Sequence, residues 1–381
     1  MIFVTGSLAH GGAERHAVAV MNRMGERGHQ CHAVYIKNEA ALLDSIRLNE
    51  GGTVQCLNAA RYFDRRALTD FAAHISRIKP SVVVAANPYA LLYSTLALRI
   101  ARLQVPQVVT YHSTWLLGVK ERLQMLVYRP FFWISDCSVF VCEMQRRYCM
   151  RRGVFARRNE VIHNGVDTNR FRDTWSPDER GRLRRALGYT DADYVIGIAA
   201  TLRAEKNHAQ LVDALARLRG MGIAARVLMI GDGDKRAEIE ARARELRVER
   251  DITITGFQRE VRPYVAACDV MTLCSHTEAF SLAAIEAMSL GKPVVHSDVG
   301  GAAEMVFSGW NGFLFPAGDT ADFVDKLAIL SDRAVSARMG HNARGVAEKF
   351  FSEKTMVDRY EETLLDLCGV PANTSAKEAV T

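Results

Sequence analysis

Glu278-Ala279-Phe280-Ser281-Leu282-Ala283-Ala284-Ile285-Glu286-Ala287-Met288-Ser289-Leu290-Gly291 is the stretch from which the rest of the chain is read. From Ser281 to Leu290 it carries a single charge, Glu286, whose helical neighbours four residues either side are Leu282 and Leu290. The carboxylate therefore shares a helix face with apolar side chains. Burying it without hydrogen bonds would cost several kcal/mol, so a protein donor or a ligand is expected to meet it. Glu278 falls in the loop before the helix. The backbone N–H groups of Phe280, Ser281 and Leu282 stand at the helix N-terminus, an arrangement suited to anions.

Outward from this stretch, short apolar runs alternate with helical ones. Strands are expected at 194–200, 226–230, 252–256, 270–274 and 293–296, with helices at 207–220, 234–247, 260–267, 281–290 and 301–307. An earlier series places strands at 2–5, 32–37, 53–58, 81–86, 108–111, 138–141 and 160–162, with helices at 13–27 and 67–78. This alternation means parallel sheets with helical crossovers, and the fold class is α/β. The 381 residues exceed what one core usually supports, so two domains are expected. Residues 170–190 are polar, with Ser176-Pro177 suited to start a short helix, and serve as the linker. The expected division is 1–168, 169–349, and a C-terminal segment 350–381. That segment's helical pattern breaks near 350–352, its helix crosses back to the first domain, and its tail lacks apolar periodicity.

Hydrophobic content of 49% and charged content of 24% describe an ordinary globular chain. The net charge of +6 is modest and does not by itself imply nucleic acid. Much of it is local: from Lys120 to Arg158 there are nine Lys or Arg against three acids, interleaved with Tyr128, Phe131, Phe132, Trp133 and Tyr148. The segment 115–158 reads either as a solvated helix face or as a patch for an anionic membrane surface. No RNA-binding signature favours nucleic acid. The eight cysteines form no C-x-x-C pair, and reduced, buried thiols in a cytoplasmic protein are expected. The first residues lack the basic region of a signal peptide, and no uninterrupted apolar run reaches the ~18 residues of a spanning helix.

Ligands of two doubly wound sheets collect at the carboxyl ends of the strands. There Gly11-Gly12 suits either a phosphate-approaching turn or a plain strand-to-helix connection. Arg203 and Lys206 are two cations that either neutralise a diphosphate or lie in a solvated loop. His112 ends a strand, where a functional and a structural role are both open. Asp191-x-Asp193 and Asp232-x-Asp234 read as turn and N-cap residues, and no metal is expected. No G-K-[ST] loop or Ser-His-Asp set can be assembled from neighbouring motifs.

The spacing of Glu278 and Glu286 within E-A-F-S-L-A-A-I-E-A-M-S-L-G-K-P-V-V, followed by Asp298-Val299-Gly300-Gly301 and Glu304, resembles the E-x7-E signature of retaining glycosyltransferases of family 4. Gly11-Gly12-Ala13-Glu14-Arg15, His163-Asn164-Gly165-Val166-Asp167, Glu205-Lys206-Asn207, Gly231-Asp232-Gly233, Gly256-Phe257 and Asn311-Gly312-Phe313-Leu314 with Gly318-Asp319 follow in that family's order. The resemblance implies the GT-B fold, two facing Rossmann-like doubly wound domains, the second holding a nucleoside-diphosphate sugar and the first a glycan or lipid-linked acceptor. It implies Glu286 on the donor ribose, Glu278 on sugar hydroxyls, and Phe280, Ser281 and Leu282 on the diphosphate or the sugar. Lys206 and the Gly12 backbone would hold the diphosphate, with Gly11, Asn164 and Gly231 among the substrate-binding residues and His112 beside the transferred sugar. Where the family often has Arg, this chain has Thr201, and Arg203 is placed to replace it because alternation puts both on one side. The implied activity is metal-independent, cofactor-free, retaining transfer into cell-surface polysaccharide or lipopolysaccharide, in the cytoplasm or at the inner face of the plasma membrane. A catalytically silent scaffold of the same fold and a nucleotide-sugar epimerase are the rival readings.

Overall fold

The structure is a computed structural model and describes residues 1–9, 11–112 and 118–370. The chain separates into two compact units, Met1–His163 with Met356–Thr381, and Asn164–Thr355.

The first unit runs β1 (Ile2–Thr5), α1 (Gly12–Glu26), β2 (His32–Tyr35), β3 (Val54–Cys56), α2 (Arg65–Ile78), β4 (Val83–Ala85), α3 (Pro88–Ala101), β5 (Gln107–Tyr111), α4 (Val119–Ile134), β6 (Cys137–Phe140), α5 (Glu143–Met150) and β7 (Arg158–Val161). Among the described residues these strands form one parallel sheet in the order β3-β2-β1-β4-β5-β6-β7. Both faces are covered, so the central strands are continuous apolar runs rather than alternating ones. Ile2, Val4, Val83, Val109 and Phe140 pack with residues of α2, α3 and α4. Phe3, Val84, Val108 and Val139 lie on the other face with Val20, Met21 and Met24 of α1 and with Met356, Val357, Tyr360 and Leu364.

The second unit contains α6 (Pro177–Ala186), β8 (Tyr194–Ala199), α7 (His208–Gly220), β9 (Ala225–Ile230), α8 (Arg236–Glu245), β10 (Ile252–Ile254), α9 (Arg262–Ala267), β11 (Val270–Leu273), α10 (Leu282–Ser289), β12 (Val294–Ser297), α11 (Ala302–Met305), β13 (Gly312–Phe315), α12 (Thr320–Leu330) and α13 (Arg333–Phe350). Its sheet, again parallel, has the order β10-β9-β8-β11-β12-β13 among the described residues. The last helix, α14 (Glu353–Leu367), starts in this unit and belongs to the first from Met356 onward.

Side-chain caps set several helix starts. Ser176 and Glu179 form a capping box on α6, Asn87 caps α3 ahead of Pro88, and Asp319 and Asp332 cap α12 and α13. The α3 stretch is absent from the expected elements because it carries little amphipathic period: Ala90, Leu91, Leu92, Tyr93, Ala97 and Leu98 are all buried. Helices α4 and α5 occupy the basic-aromatic segment, for which a solvated helix face was one of the two readings.

Each sheet reverses its winding once, between β1 and β4 in the first unit and between β8 and β11 in the second. At such a switch point the loops leaving adjacent strands diverge and open a crevice at the carboxyl edge. Those two positions locate where each unit can hold a ligand.

Candidate functional site

In the second unit, the loops leaving β8 and β11 flank the switch point and are cross-linked beyond it. The first passes through Thr201 and Arg203, both exposed, with Leu202 buried between them. It then turns at Ala204–Lys206. The second carries Ser275 to Phe280. His276 N–H donates to Glu205 O at 2.8 Å, stitching the two loops together. Lys206 Nζ donates to Glu278 Oε1, which also accepts from Ser275 Oγ at 3.2 Å. Both partners are largely withdrawn from water, the Lys206 and Glu278 side chains being 24% and 14% exposed.

Two glycines make this approach possible. Gly300, at φ +59, lies so close to the Glu278 and Ala279 carbonyls that a Cβ there would strike both. Gly301 N–H donates to Ala279 O at 2.8 Å, so the turn after β12 supports the Glu278 loop from behind. Gly231, at φ +150, brings the turn after β9 against the Ala200 carbonyl, where a side chain would collide.

Phe280 is buried, and Ser281 caps α10, its hydroxyl accepting from Ala284 N–H at 3.3 Å. Among the described residues no acceptor takes the N–H groups of Ser281 or Leu282. Glu286 is half-buried in the middle of α10, with Leu290 buried one turn on and Leu282 half-exposed one turn before. The apolar face expected around its carboxylate is thus closed on one side only. Asn164 is buried and donates from Nδ2 to Phe280 O at 3.3 Å. Its Oδ1 has no hydrogen-bond partner among the described residues.

Two histidines that the sequence reading did not single out belong to this neighbourhood. His296, the third residue of β12, is buried, and its Nδ1–H donates to Ser297 O at 2.6 Å. Burial lowers its pKa, with the Glu278 carboxylate pulling the other way. His208, at the start of α7, is buried without a hydrogen-bond partner for either ring nitrogen among the described residues. Burial and then the Lys206 charge push its pKa down to about 4. Both are neutral near pH 7. The only signal for either in the sequence is its place beside a strand end or a charged loop.

The aspartate pairs divide. Asp193 accepts from Thr190 N–H and hydroxyl at 2.6 and 2.8 Å and pairs with Arg226 at 3.2 Å, a turn role. Asp232 accepts from Gly233 N–H at 2.8 Å, but Lys235 occupies the N-cap of α8, so Asp234 is not the cap expected of it. The turn through Gly233 and Asp234 sets the helix start one residue later than the acidic pair suggests.

In the first unit, Gly11 is the N-cap of α1 at φ −82, and Gly12 is not in the left-handed region either. The tight turn expected of this pair is not what requires glycine. Instead, a side chain at Gly11 would strike the Glu14 carboxylate, which folds back over the first turn, whereas one at Gly12 would meet nothing. The anion-favouring end of α1 therefore already carries an acid. His112 follows β5 and has no hydrogen-bond partner for Nε2 among the described residues. Burial alone pushes its pKa down to about 4.

In the basic-aromatic segment, residues 113–117 lie outside the described residues. Helix α4 buries Met125, Tyr128 and Phe132, while Val119, Leu123, Leu126, Val127 and Trp133 are exposed. Arg146 and Arg147 pair with Glu143 at 2.9 and 2.8 Å, and Arg152 stacks on Tyr148, so part of the positive charge is locally engaged.

Comparison with known proteins agrees with this layout. The family model described as "Glycosyltransferase Family 4" matches residues 10–170, and that described as "Glycosyl transferases group 1" matches residues 179–346. The N-acetyl-alpha-D-glucosaminyl L-malate synthase of Bacillus anthracis is 31% identical over 210 residues, 55% of this chain and 54% of that protein. A D-inositol 3-phosphate glycosyltransferase of Nocardia farcinica is 34% identical over 234 residues, 58% of this chain and 51% of that protein. The matched stretch thus spans about half the length of these curated relatives. Among solved structures, Anabaena HepE in complex with UDP superposes with a TM-score of 0.82 at 24% identity, covering 96% of this chain and 99% of that one. The same protein in complex with UDP-glucose gives 0.79 over the same shares. Two parallel sheets, each matched by its own family model, and a superposition over nearly the whole length agree: the chain belongs to the family 4 glycosyltransferases and has the GT-B fold.

Proposed function

We propose that this protein transfers a glycosyl group, with retention and without a metal, from a nucleoside-diphosphate sugar to a glycan or lipid-linked acceptor of a cell-surface polysaccharide or lipopolysaccharide. The observation that carries the reading is the Lys206–Glu278 pair at the β8/β11 switch point, beside the N-terminus of α10. Departure of a nucleoside diphosphate builds negative charge on the β-phosphate. Lys206, Arg203 and the N–H groups of Ser281 and Leu282 are the donors suited to stabilise it, each worth about 10²–10³ in rate by analogy with oxyanion sites. These cations would take the place that a divalent ion fills elsewhere. Glu286 would hold the ribose hydroxyls, with Asn164 and Gly231 shaping the site and Thr201 contributing less than Arg203.

Lys206 and Glu278 hold one another in this structure. Binding a donor exchanges that contact: Lys206 turns to the diphosphate and Glu278 to the sugar hydroxyls, so neither buried charge is left alone. His112, with Gly11 and Gly12, is assigned to the sugar and acceptor side. Complexes of a similar fold with UDP and UDP-glucose favour a nucleotide-sugar donor. The test is a thermal-shift screen of UDP, GDP and ADP sugars followed by transfer assays on Glu286→Ala and Lys206→Ala. If both variants transfer from every active donor as the parent does, the site assignment is wrong. No stabilisation by any nucleotide would favour a silent scaffold, and conversion of the donor without acceptor would favour an epimerase.

The exposed apolar stripe of α4 supports attachment to an anionic membrane surface. Val119, Leu123, Leu126 and Val127 recur at helical spacing on the side away from the core, on a segment rich in Arg and Lys. No helix among the described residues is long and apolar enough to cross a membrane. Leu123→Glu with Val127→Glu should abolish flotation with anionic liposomes. Unchanged flotation would remove α4 from the reading.

A further inference from the structure

Behind His112, which is itself partly buried, the first unit holds two buried rings that the proposed reading does not use. His16, on α1, lies with its ring 4.4 Å from that of His112, the planes tilted by 58°. On its other side the ring of Tyr360, on α14, is 5.3 Å away at 59°. His16 is 8% and Tyr360 1% exposed. His16 Nε2, His112 Nε2 and the Tyr360 hydroxyl lack hydrogen-bond partners among the described residues, as do the Thr5 and Thr110 hydroxyls. Thr110 and His112 are two residues apart along an extended segment and so project to one side, the side on which Val108 meets Met356 and Tyr360. Three rings from three different elements therefore enclose polar atoms that have no partner among the described residues.

The electrostatics of the stack are simple. Among the described groups no Asp, Glu, Lys or Arg acts on either imidazole: burial alone lowers the pKa of His112, and burial followed by His112 lowers that of His16. The neighbours from α1, α14 and β5 are His16, Tyr360 and Thr110, all neutral at physiological pH. A ring held this way has a fixed plane and no charge.

We propose that His16 is a positioning residue that backs His112, excluding water from behind its ring so that His112 meets the transferred sugar as a neutral imidazole. The proposal rests on the reading of His112 as the sugar-side residue, and its test separates the two. In full-length protein with labelled histidines, nuclear magnetic resonance follows the His112 imidazole from about pH 4 to 8 while kcat/KM is measured over the same range. In the parent, His112 should not titrate above about pH 5, and the rate should show no acidic limb from it. His16→Ala admits water, so the His112 midpoint should rise by about one unit or more, and kcat/KM should fall as pH drops from 7 to 5. His16→Phe restores the packing and should keep the midpoint low. His16→Gln, which holds a polar group without a ring, should raise it, and these two variants decide the matter if His16→Ala does not fold. A His112 midpoint unmoved by His16→Ala or His16→Gln overturns the proposal whatever the rate does. A raised midpoint with an unchanged rate profile supports the backing contact and overturns instead the placing of His112 beside the sugar.

Discussion

Gly300→Ala tests whether the Glu278 loop is held by close backbone contact rather than by its own sequence. At φ +59 an alanine in the left-handed region costs about 1–2 kcal/mol. The added Cβ would also strike the Glu278 and Ala279 carbonyls, and overpacking of this kind typically costs a further ~1–3 kcal/mol. A unit of this size shifts its Tm by roughly 2–4 °C per kcal/mol, so a fall of about 4–20 °C is expected. Relief requires the loop to retreat, and a displacement near 1 Å at a reacting centre costs about 10² in rate. Gly309→Ala is the control: it too has a positive φ, +85, yet a Cβ there meets nothing within 4 Å. It should lose about 1–2 kcal/mol and transfer normally. Calorimetry and steady-state transfer on both variants give the comparison. Equal losses of Tm and equal rates in the two would refute the argument, because strain without close contact would then explain everything.

Other perturbations probe separate parts of the molecule. Lys206→Met should lower kcat by about 10²–10³ and also lower Tm, because Glu278 loses its cation in a site largely withdrawn from water; a loss confined to KM would assign Lys206 to ground-state binding alone. Arg184 is buried and donates to Asp269 Oδ1 at 3.0 Å and to the Asp193 and Thr190 carbonyls at 2.5 and 3.3 Å. Arg184→Met strands these acceptors and should cost about 3–5 kcal/mol in denaturant unfolding; a loss under about 1 kcal/mol would mean that water replaces the guanidinium. Glu361 on α14 accepts from His29 at 2.6 Å and Arg27 at 2.5 Å, and its pKa lies below the ordinary 4.5. Burial alone would raise it, but the hydrogen bonds from His29 and Arg27 together outweigh that effect. A depressed carboxylate pKa stabilises fully above about pH 4.5 and loses that contribution as pH falls through the folded value. Hydrogen-exchange protection of α14 should therefore decline as the pH falls below the ordinary 4.5, and Glu361→Gln should remove that dependence; flat protection there in the parent would contradict it.

What was legible in the sequence follows from what is local. The sheets were readable because buried parallel strands are short apolar runs between helical ones, and Ser176 to Glu179 announce the start of α6 within four residues. Glu278 and Lys206 were each assigned correctly to strand-end loops. That they pair with one another depends on β8 and β11 being neighbours, which is a property of the strand order. Helix α3 escaped notice for the opposite reason, since a helix covered nearly all round has no periodicity to detect.

The glycines show where local reading stops. Gly11-Gly12 looked like the backbone device of the first unit, yet neither residue has a left-handed conformation, and a side chain at Gly11 would meet only the movable end of Glu14. Gly300 attracted notice only as part of a motif, although it is the residue whose missing side chain lets the β12 turn lie against the Glu278 carbonyl. A glycine's neighbour in space is set by the fold, so two glycines alike in sequence can differ entirely in what they permit. The same holds for His16, whose partners His112 and Tyr360 are far away in the chain. The carboxylates and cations of the proposed donor site can be named from a motif, whereas the groups that hold them in place come from strands and helices the motif does not contain. Substitutions at those supporting positions are therefore the sharper test of how the site works.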